Sequence, residues 1–344
     1  MSTEIQWTDE TWNPVTGCSK VSPGCAHCYA ETVALRFWAT QYRPMLSDGS
    51  GKTIDTISTS HHEDYLAQGL ARPRTFTDVM CHEDRLDQPL RWKRPRKVFV
   101  NSMSDLFHED VPDEFIDRVF AVMALAPQHT FQVLTKRAAR MRAYLSADKL
   151  ELLDRFDAAS DDWTHGTCGD RWPLPNVWLG VSVENQHFAD ERIPLLLQTP
   201  AALRFISAEP LLGSVDLTPW LIQSCCGNIT DGDTQNGEPP QCCGDPYEPL
   251  DWIIVGGESG HGARPMDVAW ARSIVTQCKA AGVVCFMKQL GSHPIAEYDG
   301  EGEHAPGSYF DWLTKDRKGG TMAEWPADLR VREFPMVPQV KVPA

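Results

Sequence analysis

The chain has 344 residues, a length that leaves one or two domains open and fits a single α/β barrel. Its 42% hydrophobic and 23% charged residues exclude a disordered or fibrous protein, and no apolar run approaches membrane-spanning length. A net charge of −15 argues against indiscriminate coating of nucleic acid, which would need a local basic patch.

In chain order, Met1 to Asp9 shows neither a basic start nor an apolar stretch, so no targeting segment is visible and the expected compartment is the cytoplasm. The eleven cysteines then belong in a reducing compartment, as metal ligands, catalytic groups or small core residues rather than disulfides. A first strand is expected near Ile5 to Trp12. Six β-branched or aromatic runs follow, at Lys97 to Asn101, Thr130 to Leu134, Val177 to Val183, Leu203 to Ser207, Trp252 to Val255 and Val283 to Met287. Helical patterns lie between several of them. One begins near Pro112, lines up Phe115, Ile116, Val119, Phe120 and Met123, and stops ahead of Pro127. Another opens at Asp267 as N-cap, carries Ala271, Ile274, Val275 and Cys278, and ends at Gly282. This alternation predicts an α/β fold, a TIM-like (β/α) barrel with full or partial closure. Tyr42 to Ala71, Asp157 to Pro175 and Gln223 to Pro249 are rich in Gly, Pro, Asp and Ser and read as loop insertions in one domain over 1–344.

The loop after the first strand carries Trp12-Asn-Pro-Val-Thr-Gly-Cys18 and Ser22-Pro-Gly-Cys25-Ala-His-Cys28-Tyr-Ala-Glu31. Three thiols close together suit a [4Fe-4S] cluster that leaves one iron open to a small molecule. A structural zinc ion wants four protein ligands, and Cys81-His82 is the obvious donor of a fourth. The spacing Cys18-x6-Cys25-x2-Cys28 resembles an expanded form of the radical S-adenosylmethionine (SAM) motif, whose first gap is normally three residues. More closely, the chain resembles a family of bacteriophage and prophage proteins, radical-SAM-like and without established function. The resemblance rests on the cysteine segment and on Phe99-Val-Asn-Ser-Met-Ser-Asp-Leu-Phe107, Val133-Leu-Thr-Lys-Arg137, Val177-Trp-Leu-Gly-Val-Ser-Val-Glu184, Ile206-Ser-Ala-Glu-Pro-Leu211 and Val255-Gly-Gly-Glu-Ser-Gly260. It implies a radical SAM barrel, a cluster on Cys18, Cys25 and Cys28, SAM as cosubstrate, and a flavodoxin- or ferredoxin-type electron donor.

Polar residues close nearly every strand, where a barrel interior otherwise wants Val, Ile and Leu. They are Asn101, Ser102 and Asp105; Thr135, Lys136 and Arg137; Ser182, Glu184 and Asn185; Glu209; Gly256, Gly257 and Glu258; and Lys288 and Gln289. The resemblance implies ribose or sulfonium contacts for Ser182 and Glu184, a close backbone approach to adenosine at Gly256 and Gly257, and His27 and Tyr29 beside the adenine. Ser102 and Asp105 complete the candidate cofactor-binding set. Glu209, Glu258 and Lys288 are the candidate catalytic groups, and Arg264 is a further substrate or proton-handling candidate.

Two features stand apart. Cys225-Cys226 and Cys242-Cys243, in the third insertion, offer a second metal site, for zinc or an auxiliary cluster. Arg91-Trp-Lys-Arg-Pro-Arg-Lys97, with Lys136, Arg137, Arg140 and Arg142 farther on, could track phosphates and stack a base. The favoured expectation is a radical SAM enzyme abstracting hydrogen from an unknown substrate, with a nucleotide or nucleic acid as candidate. The rivals are a zinc-stabilised nucleic-acid-binding protein without SAM chemistry, and a barrel hydrolase pairing Glu184, Glu209 or Glu258.

Overall fold

A computed structural model describes residues 3, 5–38, 42–44, 71–160, 163, 171–222, 248–297 and 309–336. Seven parallel strands form its central sheet: β1 (Glu10–Trp12), β2 (Lys97–Val100), β3 (Thr130–Thr135), β4 (Val177–Ser182), β5 (Leu203–Ala208), β6 (Trp252–Gly256) and β7 (Val284–Gln289). Each strand pairs with its sequence neighbours, from Glu10 opposite Val98 to Ile254 opposite Phe286. β1 and β7 are the edges, so the sheet is a curled half-barrel rather than a closed one. All seven expected strands are present, with ends displaced by one or two residues except in β1, which starts at Glu10. Ile5 to Asp9 is not strand.

Period-two alternation divides the sheet's side chains. Val98, Val100, Leu179, Val181, Ile206, Ile253, Val255, Cys285 and Met287 join the core shared with the helices. Trp178, Phe205, Trp252, Ile254 and Phe286 point the other way and close around Trp7. The Trp7 ring centroid lies 4.7 Å from Phe99 on β2, 6.4 Å from Phe205 on β5 and 6.3 Å from Trp252 on β6. In a flat sheet β2 and β6 would be roughly 19 Å apart, so one indole can touch both only because the sheet curls around it. The segment expected to extend the first strand instead supplies this plug.

Helices α1 (Tyr29–Phe37), α2 (Asp113–Leu125), α3 (Ala138–Leu145), α4 (Lys149–Ser160), α5 (Gln186–Leu197) and α6 (Val268–Ala281) complete the main architecture. Asp113 and Glu114 open α2, where negative charge suits the helix dipole, and its buried face carries the five expected apolar residues. Asp267 caps α6 by accepting from the Ala269 amide at 2.8 Å, and Gly282 ends it at φ 71°. Cys278 and Cys285 are buried core residues, in keeping with their spacing. The second insertion begins later than expected. Residues 157–160 still belong to α4, where Phe156 stacks on Phe120 at 5.3 Å. In the first insertion, Tyr42–Pro44 pairs antiparallel with Ala71–Pro73. Residues 45–70, most of the second insertion and 223–247, with Cys168, Cys225, Cys226, Cys242 and Cys243, lie outside the described residues. Among the described residues, no helix is long and apolar enough to cross a membrane.

Candidate active site at the cysteine loop

The chain leaves β1 at the C-terminal edge of the sheet, the end where βα loops assemble sites in barrels. Val15–Thr16 pairs with Met80–Cys81, and the Cys18 amide donates to the Phe76 carbonyl at 2.8 Å. Cys25 ends a short 3-10 turn, and Cys28 caps α1. All three cysteines are half-buried free thiols. Burial and the Asp105 charge push the Cys18 thiol up to about 12 against an opposing pull from Arg137. Burial also raises the Cys28 thiol, while the first amides of α1 act the other way.

Three clusters of charge hold this loop. In the first, the Ser22 hydroxyl donates to Glu184 Oε1 at 2.7 Å, and Lys136 Nζ approaches the same oxygen at 2.7 Å. Arg192 Nη1 donates to Glu184 Oε2 at 3.0 Å and to the Ser182 carbonyl at 2.8 Å. Glu184 has no exposed surface; burial pushes its carboxyl up, but Lys136 and Arg192 outweigh that and hold it below the usual range. A Cβ on Gly24 would lie 2.4 Å from Glu184 Oε1, so the loop backbone passes directly over this carboxylate.

In the second cluster, Glu258 accepts from Arg264 Nη2 at 2.5 Å, Arg264 Nε at 3.0 Å and the Arg264 amide at 2.8 Å. His27 Nδ1 lies 2.9 Å from its Oε2, and Arg264 Nη1 donates back to the Pro23 carbonyl at 2.9 Å. Burial disfavours the Glu258 charge, yet Arg264 and His27 prevail and hold it at about 2. The third cluster is built on Asp105. Its Oδ1 accepts from Thr135 Oγ1 at 2.7 Å and the Phe107 amide at 3.0 Å, and its Oδ2 from the Lys136 amide at 3.0 Å and Arg137 Nη1 at 3.3 Å. Four hydrogen bonds fill the acceptor capacity of Asp105, whose work is to fix Arg137.

Beside these, Lys288 Nζ donates to Glu209 Oε1 at 2.6 Å, and Gln289 Nε2 donates to the same oxygen at 3.2 Å. Both side chains of the Lys288–Glu209 pair keep 18% of their surface open.

A family described as "Protein of unknown function (DUF5131)" matches residues 2–318. The chain belongs to the DUF5131 family. No curated protein and no solved structure matches it. The DUF5131 match spans the cysteine loop, all seven strands and the paired charges above them, and it carries neither a source nor a chemistry.

Glu184, Glu258, His27, Ser182, Glu209 and Lys288, all candidates from the sequence, come together at one end of the DUF5131 sheet. Of two other candidates, Tyr29, next to Cys28, is 65% exposed on α1, and Ser102 Oγ donates to Asn13 Oδ1 at 3.2 Å. The two candidate glycines face protein. A Cβ on Gly257 would lie 2.2 Å from the Leu290 carbonyl, and one on Gly256 would lie 3.2 Å from the Glu209 carboxyl. Ser22 and Arg192 carry no sequence signal of their own, since a serine in a turn and an arginine on a helix look ordinary. Lys136 and Arg137 fit both a strand end and a basic strip by position; both turn inward.

Part of that strip is engaged within the protein. Arg91 pairs with Asp87 and Arg96 with Glu10, while Lys97 Nζ lies 3.6 Å from the Phe334 ring centroid. The strip leads into the N-terminal end of β2, opposite the cysteine loop. Of the expected fourth zinc donors, Cys81 and His82, the histidine is engaged. His82 Nε2 lies 2.7 Å from Thr16 Oγ1, and burial with nearby Arg85 and Arg74 lowers His82 to about 4. Among the described residues, no group of three or more His, Cys, Asp or Glu side chains is arranged to hold a metal ion. The donor chemistry of the loop nevertheless fits an iron-sulfur cluster: three free thiols within eleven residues, fastened to the sheet through Ser22, Pro23 and Ser19 rather than through the sulfurs alone.

Proposed function

We propose that this DUF5131 protein is an iron-sulfur enzyme of the radical SAM type, with Cys18, Cys25 and Cys28 as the ligands of a [4Fe-4S] cluster. The observation that carries the reading is a loop of three free thiols anchored across a curled parallel sheet, at the edge where Glu184, Glu209, Glu258 and Lys288 converge. When bound, such a cluster supplies the electron that cleaves SAM to methionine and a 5'-deoxyadenosyl radical able to take hydrogen from a substrate.

The residues of the chain then divide the work. Glu184, with Ser22, Lys136 and Arg192, fixes the loop between its first and second ligands. Glu258 orients His27 and, through Arg264, the turn that ends in Cys25. Lys288 and Glu209 form the pair open enough to meet a substrate, and a proton can pass between Nζ and Oε1 across 2.6 Å. Ser182 is buried at the end of β4, and the family resemblance makes it a candidate SAM contact. The substrate is unknown, with a nucleotide or nucleic acid as one candidate; reduction comes from a flavodoxin- or ferredoxin-type donor, and the setting is cytoplasmic.

The rival readings have less support. A hydrolase pairing Glu184 with Glu258 needs one of them kept protonated, whereas both are held as carboxylates. A nucleic-acid binder would rely on the basic strip, where Arg91 and Arg96 are paired within the protein and which lies at the end of the sheet away from the cysteine loop. The deciding experiment is anaerobic purification with iron, sulfide and zinc analysis, then incubation with dithionite and SAM. About four irons per chain and release of 5'-deoxyadenosine are expected; zinc without iron, and no cleavage, would overturn the proposal.

A further inference from the structure

Arg137 is bound more completely than a surface arginine needs to be. A guanidinium has five N–H donors, and here each has an acceptor. Nε donates to Glu109 Oε2 at 2.9 Å; Nη2 donates to Ser19 Oγ at 2.7 Å and to the Ser19 carbonyl at 3.4 Å; Nη1 donates to Asp105 Oδ2 at 3.3 Å and to Cys18 Sγ at 3.6 Å. The side chain is 9% exposed. Its backbone is fixed too, since the Arg137 amide donates to Thr135 Oγ1 at 2.8 Å and Thr135 Oγ1 donates to Asp105. His108, buried below the loop, adds a contact to Ser19 Oγ at 2.8 Å. The result is a rigid fork with one N–H aimed at a single sulfur of the three.

We infer that Arg137 is a positioning residue for the cluster proposed above, giving Cys18 a charge-assisted hydrogen bond that the other two ligands lack and thereby raising the cluster's reduction potential. The inference rests on the cluster reading. Reduction adds one electron from an external low-potential donor; no bond forms or breaks, and no proton moves, because the guanidinium stays protonated throughout. The added negative charge is stabilised by the cation beside Cys18, and hydrogen bonds to the sulfurs are an established lever on such potentials. Asp105 acts against Arg137 at Cys18 but is present in every variant compared, so the difference between wild type and Arg137→Met reads the arginine alone. Glu109 is 63% exposed and screened by water.

The test compares wild type, Arg137→Met, Arg137→Lys and Glu109→Gln as full-length chains purified anaerobically. Iron and sulfide are counted, and the fraction reduced is followed by electron paramagnetic resonance in a dithionite titration. Arg137→Met should keep its iron while its reduced-to-oxidised ratio at a fixed potential falls about tenfold, equivalent to about 59 mV for one electron. Arg137→Lys, which keeps the charge without the fork, should fall between wild type and Arg137→Met. Glu109→Gln, which leaves Nη1 and Cys18 alone, should stay at the wild-type value. Equal midpoints in iron-loaded wild type and Arg137→Met would overturn the inference and leave the cluster reading standing. So would iron lost in Arg137→Met and restored in Arg137→Lys at an unshifted midpoint, the mark of a purely structural clamp. Wild type without iron would overturn both.

Discussion

Ser22 and Glu184 are 162 residues apart in sequence and 2.7 Å apart in the structure, and this hydrogen bond ties the cysteine loop to the segment that follows the fourth strand of the sheet. Glu184 carries the loop on one side and two cations on the other, so its loss has consequences beyond its own position. Glu184→Ala leaves Lys136 and Arg192 without their buried counter-charge, and breaking such a pair typically costs about 3–5 kcal/mol. Thermal unfolding followed by circular dichroism should show a large drop in Tm. A drop no greater than that of a surface Glu→Ala control would mean that the loop is held elsewhere.

Gly24→Ala makes a narrower cut. The added methyl would lie 2.4 Å from Glu184 Oε1, so either the loop or the carboxylate must move while the rest of the sheet stays intact. Far-ultraviolet circular dichroism should be unchanged and the iron content per chain should fall to half or less. Full iron loading in this variant would show that the contact is not needed to position the ligands.

Cys25→Ala separates the enzyme classes. Under the proposed function it removes iron and 5'-deoxyadenosine formation together, while the fold persists because Cys25 is only half-buried. Unimpaired iron content and SAM cleavage would refute the ligand assignment.

Lys288→Met should abolish substrate turnover yet leave iron content and uncoupled SAM cleavage within about twofold of wild type, because the pair it breaks touches neither the loop nor its anchors. Loss of iron in this variant would place Lys288 in the scaffold instead.

Acid stability should fall in two windows. The His82 value lies below that of an unfolded histidine, so the unfolded chain takes up a proton first and stability drains away as pH falls from about 6.5 to about 4. Glu258 is held at about 2, so its contribution is complete above the ordinary glutamate value near 4.5 and is lost as pH falls from there toward 2. Tm measured against pH should therefore lose its upper descent in His82→Gln and its lower one in Glu258→Gln. An unchanged profile in either variant would remove that residue from the account.

Residue order alone suffices for six of the seven strands, since β-branched and aromatic runs of four to seven residues announce buried parallel strands wherever they fold; it starts the first strand five residues too early. It suffices also for the α6 caps and the loop of three cysteines, which are local patterns of spacing and residue type. It does not say which charge answers which. Ser22 with Glu184, His27 with Glu258 and Arg137 with Cys18 are separated by 162, 231 and 119 residues. A strand pattern says that a carboxylate lies at a strand's end, but not which cation comes to meet it. The curl of the sheet settles that: by wrapping around Trp7 it brings the ends of distant strands within reach of one loop. The same curl turns Lys136 and Arg137, ambiguous in the sequence, inward to the cysteines. Pairing at hydrogen-bond distance depends on three-dimensional closure, and no one-dimensional spacing encodes it.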